Sequence, residues 1–184
     1  MNKEETREQL NISKDLFLVG SFQRDTEGHD LKSPKLEKGP DIFCDIVENL
    51  YKSNKNMKVI LAGLRRQYVK QRLEKAGIEY LYYELVDFET LNKLYNVLDL
   101  YIVSSRCEGG PQAIVEAAIT KTPIVSTEVG IASLILSDES IYRDVDDFFD
   151  SNANVQFAFE QVQKLLMPIG FEKFRKEFAN VNKI

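Results

Sequence analysis

LYIVSSRCEGGPQAIVEAA, residues 100–118, decides how this chain is read. Leu100 to Ser104 is a short β-branched and aromatic run, which favours a strand. The chain then turns through a polar loop carrying Gly109 and Gly110. Pro111 opens a helix, since proline at a helix start needs no amide partner. A strand feeding through a glycine-containing loop into a helix is half of a parallel βαβ unit.

The same alternation extends in both directions. Upstream, strands are predicted at Leu16–Ser21, Lys58–Ala62 and Glu79–Tyr83, and downstream at Ile124–Ser126, with a weaker sixth near Ile141. Between them, Ile42, Phe43, Ile46, Val47 and Leu50 follow Gly39-Pro40 at helical spacing. A second helix runs from about Arg66 to Ala76 and stops at Gly77, and Leu91, Leu94, Tyr95 and Leu98 mark a third. A short helix follows Gly130, Val155 to Leu166 carries an apolar stripe, and Pro168 starts or kinks a last helix ending near Asn180. The expected fold class is therefore α/β: a Rossmann-like, doubly wound parallel sheet of about six strands with helices on both faces. Residues 1–184 read as one domain whose ends, 1–12 and 180–184, fray. Phe22–Lys38 reads as a long polar loop without elements of its own, a kind of loop that is usually functional or disordered.

Composition narrows the function. A net charge of −5 argues against broad nucleic-acid binding, although a local basic groove can still hold a phosphate. No apolar run approaches the roughly 20 residues of a spanning helix, and MNKEETREQL lacks the apolar core of a secretory signal. Cys44 and Cys107 have neither CxxC spacing nor histidine neighbours, so a zinc site is not expected and a reducing cytoplasm is the simplest compartment. His29 is the single histidine, which rules out a His-rich metal site. Asp144-Val145-Asp146-Asp147 reads as a solvated turn, and no GxGxxG follows the first strand. Phe171, Phe174 and Phe178 among Lys173, Arg175 and Lys176 fit a membrane surface or, more commonly, a neighbouring domain.

Ligands of open parallel sheets bind beyond the carboxyl ends of the strands, where the strand order reverses. That points to the loops after the first, fourth and fifth strands. Glu108 lies in the loop before the Pro111 helix and Glu116 more than one turn inside that helix. Two carboxylates are acceptors suited to sugar and ribose hydroxyls, and a helix start with glycines offers amides to an anion. On spacing alone, a solvated Glu108 and an ion-paired Glu116 are equally reasonable.

The ordered set of segments carries a resemblance. Glu108-Gly-Gly-Pro-Gln-Ala-Ile-Val-Glu116-Ala-Ala, followed by Thr122-Pro-Ile-Val and Gly130, resembles the E-x7-E motif of retaining GT-B glycosyltransferases of the family-4 type. Phe17-Leu-Val-Gly-Ser-Phe and Glu37-Lys38-Gly39-Pro40-Asp41 resemble that family's first strand and Lys-Gly helix start, and Leu94-Tyr95 with Asp99-Leu100-Tyr101 its approach to the fourth strand. The likeness spans about residues 16 to 136.

The resemblance implies one half of a GT-B fold, the C-terminal donor-binding domain, with a nucleoside diphosphate sugar as substrate and neither cofactor nor metal. It places Glu108 on the donor sugar and Glu116 on the ribose, with Lys38 and, as a weaker match, Arg24 on the diphosphate. Gly109, Gly110, Pro111, Gly20 and Ser21 would line the donor, and Leu85 and Val86 would meet the base. Two departures stand out: Pro111 removes an amide where the family often has Gly-Phe-Gly, and Glu84 replaces a common glycine. Partners implied are the nucleotide-sugar donor and an N-terminal acceptor-binding domain or partner chain, so the chain alone would bind donor weakly and transfer little. Peripheral association of the full enzyme with the inner membrane face is compatible with this, and no nucleic-acid partner is expected. A non-catalytic nucleotide-binding or scaffolding module, or a GT-B nucleotide-sugar epimerase, are the alternatives.

Overall fold

Successive side chains on a strand point to opposite faces, so a strand buried on both sides needs apolar residues throughout. The computed structural model, which describes residues 1–181, shows this directly. In chain order its elements begin with α1 (Lys3–Gln9), β1 (Phe17–Ser21), β2 (Thr26–Glu27), β3 (Ser33–Pro34), α2 (Pro40–Ser53), β4 (Met57–Ala62) and α3 (Gln67–Ala76). They continue with β5 (Tyr80–Tyr83), α4 (Phe88–Val97), β6 (Leu100–Val103), α5 (Gln112–Ile119), β7 (Ile124–Thr127) and α6 (Ala132–Ile135). The last are β8 (Ile141–Tyr142), α7 (Val145–Phe148), α8 (Val155–Gln163) and α9 (Ile169–Val181).

Six strands form a parallel sheet in the order β5-β4-β1-β6-β7-β8. Leu18, Ile60, Tyr101, Val103 and Ile124 face one side, against Leu94 and Tyr95 of α4, Ile114 and Ala117 of α5 and Val162 of α8. Val19, Val59, Leu61, Ile102 and Val125 face the other, against Phe43 and Val47 of α2, Leu73 of α3 and Phe148 of α7. The expected doubly wound sheet with helices on both faces is therefore the observed one. Its order reverses between β1 and β6, so the crevice to inspect lies between the loops that follow those two strands.

Three expectations change. Phe22–Lys38 is not devoid of elements: Thr26 pairs with Pro34 and Glu27 with Ser33 in an antiparallel hairpin, and Leu36–Lys38 forms a 3-10 turn. The base of this hairpin is secured by Arg66, whose guanidinium bonds Asp25 Oδ2 (2.7 Å), the Ser21 carbonyl (2.6 Å) and the Ala62 carbonyl (3.1 Å). Arg66 and Asp25 are 0% and 1% exposed, a fully buried pair.

Residues 1–12, expected to fray, carry a helix, α1, capped by the Asn2 side chain on the amides of Glu4 and Glu5. Buried Arg7 donates to the Val97 carbonyl (2.7 Å) and to Asp99 Oδ2 (2.6 Å), while Lys3 reaches Asp99 Oδ1 at 2.6 Å. The local sequence is polar because the helix is anchored by charge. At the other end α9 runs through Asn180, where fraying was expected, while 182–184 lie outside the described residues. Third, Asp144 does not sit in a mere turn; its side chain accepts from the amides of Asp146 and Asp147 and caps α7.

Candidate functional site

The loops flanking the crevice meet through charge. Lys38, the last residue of the 3-10 turn, places its ammonium 2.5 Å from Glu108 Oε1 in the loop after β6. The pair is only partly screened from solvent, with Lys38 25% and Glu108 12% exposed. Ser105 Oγ donates to the same carboxylate oxygen at 2.8 Å. Gln23, just beyond β1, donates from Nε2 to the Lys38 carbonyl at 2.9 Å, and its Oε1 lies 3.2 Å from Ser105 Oγ. One network thus spans the point where the strand order reverses.

Backbone proximity explains the glycines here. Gly39 has φ +58, and a Cβ on it would stand 1.8 Å from the Ser104 carbonyl oxygen, so only glycine lets the start of α2 lie against the end of β6. Pro40 then takes the first helical position without forfeiting a bond. Gly130 is also at positive φ, and a Cβ on it would stand only 2.8–2.9 Å from the Gly109–Gly110 peptide, so only glycine lets the loops after β6 and β7 come this close. Nothing lies within 4 Å of a Cβ built on Gly109, which leaves room for a ligand to approach that peptide. Pro111 is buried and is the N-cap residue of α5. Arg106 braces the rim from outside, gripping Asp41 with two bonds of 2.8 and 2.6 Å. Arg106 also holds the Asp41 carboxyl below the usual carboxylate range.

Glu116, on the second turn of α5, is held separately. Its Oε2 accepts from Tyr95 Oη at 2.8 Å, and it lines a groove between α4 and α5 with Phe88, Leu91, Asn92, Ile119 and Thr120. Burial, followed by the neighbouring Tyr101 and Glu116, pushes the Tyr95 phenol well above its ordinary value, so it remains a donor. Tyr95 packs on Phe22 (centroids 4.8 Å) and Tyr101 (5.3 Å), and the Phe22 amide donates to Tyr101 Oη at 2.9 Å. The aromatic trio therefore connects the Glu116 groove to the residue that follows β1.

The remaining residues singled out in the sequence are placed as follows. Arg24 is exposed and its Nε donates to the Thr26 carbonyl. At Gly20 the missing side chain makes space for Leu98, whose Cδ1 would lie 2.2 Å from a Cβ there. Ser21 is buried, with its hydroxyl and carbonyl both engaged by Arg66. Leu85 is 78% exposed and Val86 half-buried in the loop between β5 and α4, apart from the Lys38–Glu108 network. Gln23, Ser105 and Tyr95 were not anticipated as site residues. Ser105 borders Glu108 in sequence and was the most accessible of the three to sequence reasoning. Among the described residues no helix is long and apolar enough to cross a membrane.

Comparison with known proteins identifies the family and the fold. The family model described as glycosyl transferases group 1 matches residues 15–166. The lipopolysaccharide core biosynthesis mannosyltransferase LpsB of Rhizobium meliloti is 26% identical over 146 residues, covering 76% of this chain and 39% of LpsB. Among solved structures, Anabaena HepE in complex with UDP-glucose superposes with a TM-score of 0.69 at 18% identity, over 97% of this chain and 52% of that one. The C-terminal domain of the glycosyl transferase group 1 family protein LpcC from Francisella tularensis gives 0.67 at 14% identity, over 89% of this chain and 92% of that one. This chain therefore spans about half or less of the full-length relatives it matches, and nearly all of an isolated C-terminal domain. With its model covering both loops that join Lys38 to Glu108 and the helix bearing Glu116, the chain belongs to the glycosyl transferases group 1 family.

Proposed function

We propose that this chain is the nucleotide-sugar-binding part of a metal-independent glycosyltransferase that moves a hexosyl group, with retention, from a nucleoside diphosphate sugar to a saccharide or lipid-linked acceptor. The observation that carries this reading is the meeting of Lys38 and Glu108 across the crevice between β1 and β6. An ammonium next to a carboxylate offers partners to the two unlike ends of a sugar diphosphate, anionic oxygens and sugar hydroxyls. The glycosyl C1–O bond to the diphosphate breaks with its electron pair going to the diphosphate oxygen. A new C1–O bond forms to the acceptor, whose hydroxyl proton passes to the departing diphosphate oxygen. Lys38, aided by Arg24, stabilises the charge that builds on the leaving diphosphate. Glu108 accepts from the donor sugar, and Glu116 from the ribose. Leu85 and Val86 border the base, and the open face of Gly109 admits the sugar. Acceptor contacts come from an N-terminal domain or a partner chain, so this chain alone binds donor and transfers little.

Titration of the chain with UDP and GDP, read by thermal shift and calorimetry, tests the reading. One nucleotide should stabilise the fold, and Lys38→Ala should weaken it by about tenfold or more, the worth of a charge-assisted contact. Indifference to both nucleotides would remove the proposal.

A further inference from the structure

We propose that Tyr95 is a positioning residue for ribose recognition, holding one oxygen of Glu116 so that the other accepts from a vicinal diol. The inference rests on the nucleotide-binding reading above and adds to it a residue that would never touch the ligand.

Tyr95 is 2% exposed and donates from Oη to Glu116 Oε2 at 2.8 Å. Its own placement is over-determined. The ring is packed against Phe22 and Tyr101, and its backbone carbonyl accepts a buried 2.8 Å bond from Thr122 Oγ1. A free glutamate samples several rotamers and loses that freedom on binding, which weakens the complex. A rigid phenol that already grips Oε2 removes part of this cost before any ligand arrives. Oε1 is then the acceptor available to a ligand. A carboxylate oxygen suits a cis-diol, which presents two adjacent donors, better than it suits an anion or an aromatic base. In the groove around Glu116, Phe88 and Leu91 are apolar and Asn92 and Thr120 are neutral, so the tethered carboxylate is its one charged recognition element among the described lining residues.

The test compares each nucleotide that the wild-type chain binds, UDP or GDP, with its 2′,3′-dideoxy analogue. Tyr95→Phe keeps the ring and its packing. It should weaken the ribonucleotide by about fivefold to tenfold while leaving the dideoxy analogue within about twofold, as expected for loss of a hydrogen bond that acts only on the diol. In a Glu116→Ala background the further change Tyr95→Phe should have no effect on either ligand. Equal loss of both ligands would assign Tyr95 a structural role only and overturn the proposal. So would diol discrimination that disappears in Glu116→Ala but persists in Tyr95→Phe; nucleotide binding itself would then still stand. If the wild-type chain bound neither nucleotide, the nucleotide-binding reading would fall and the positioning role with it.

Discussion

Replacing Arg66 with methionine removes the guanidinium but keeps an apolar stem of similar reach. Arg66 is fully buried and supplies bonds to Asp25 Oδ2, the Ser21 carbonyl and hydroxyl, and the Ala62 carbonyl. Its loss leaves the Asp25 carboxylate, 1% exposed, with the Thr26 hydroxyl at 2.6 Å as its remaining side-chain partner. Breaking a buried pair from one side typically costs about 3–5 kcal/mol, because the surviving charge is stranded away from water. For a chain of this size each kcal/mol lowers the melting temperature by about 2–4 °C, so a fall on the order of 10 °C is expected. Urea unfolding followed by circular dichroism and by tyrosine fluorescence, with coincident transitions, gives the free-energy difference. The double variant Asp25→Leu with Arg66→Met should recover part of the loss, since the stranded carboxylate is gone. A single-variant loss below about 1 kcal/mol, or a double variant worse than the sum of the two singles, would refute the reasoning.

Gly39→Ala should destabilise by about 3 kcal/mol, combining left-handed backbone strain with a clash against a carbonyl that cannot rotate away, and should weaken nucleotide binding as well; a melting point within 2 °C of wild type would contradict the Gly39–Ser104 packing. Gly20→Ala should cost about 1–3 kcal/mol by overpacking, and Leu98→Ala should be less harmful in its presence than alone, measured as a double-mutant cycle. Acid stability should reflect Asp99. Burial alone would push its carboxyl up, but Lys3, the Leu18 amide and Arg7 together hold it below its ordinary value. A depressed carboxyl stabilises the fold above its unfolded pKa of about 4 and loses that contribution as pH falls through the folded value. Denaturation curves for Asp99→Asn should therefore be flatter than wild type below about pH 4; parallel curves would exclude this role.

Much of the architecture was legible because its causes are local. Apolar runs at 100–104 and 58–62, the Gly39-Pro40 helix start and the Gly77 stop each encode their element within a few residues. Glu108 and Lys38 could be singled out because both sit in loops leaving the strands that flank the reversal. What escaped was caused at long range. Nothing in MNKEETREQL announces that Arg7 will be buried against Asp99, because an amphipathic pattern cannot register an anchor made of charge. The need for glycine at position 20 comes from Leu98, distant in sequence, which fills the place of its side chain. The hairpin at Thr26–Pro34 was hidden by strands of two residues each, stabilised by a guanidinium from beyond β4 instead of by an alternating apolar face. Tyr95 read as one more core residue because its ring does belong to the core; only its hydroxyl reaches out to Glu116.

The direct contact between Lys38 and Glu108 also bears on selectivity. On the proposed reading, inorganic phosphate or any bare anion would satisfy the ammonium while depriving the partly screened Glu108 carboxylate of its cation and leaving it only the Ser105 hydroxyl. A lone sugar would do the reverse. A molecule carrying anionic oxygens and hydroxyls at the right separation compensates both halves at once, so the crevice favours the intact conjugate over its separate fragments.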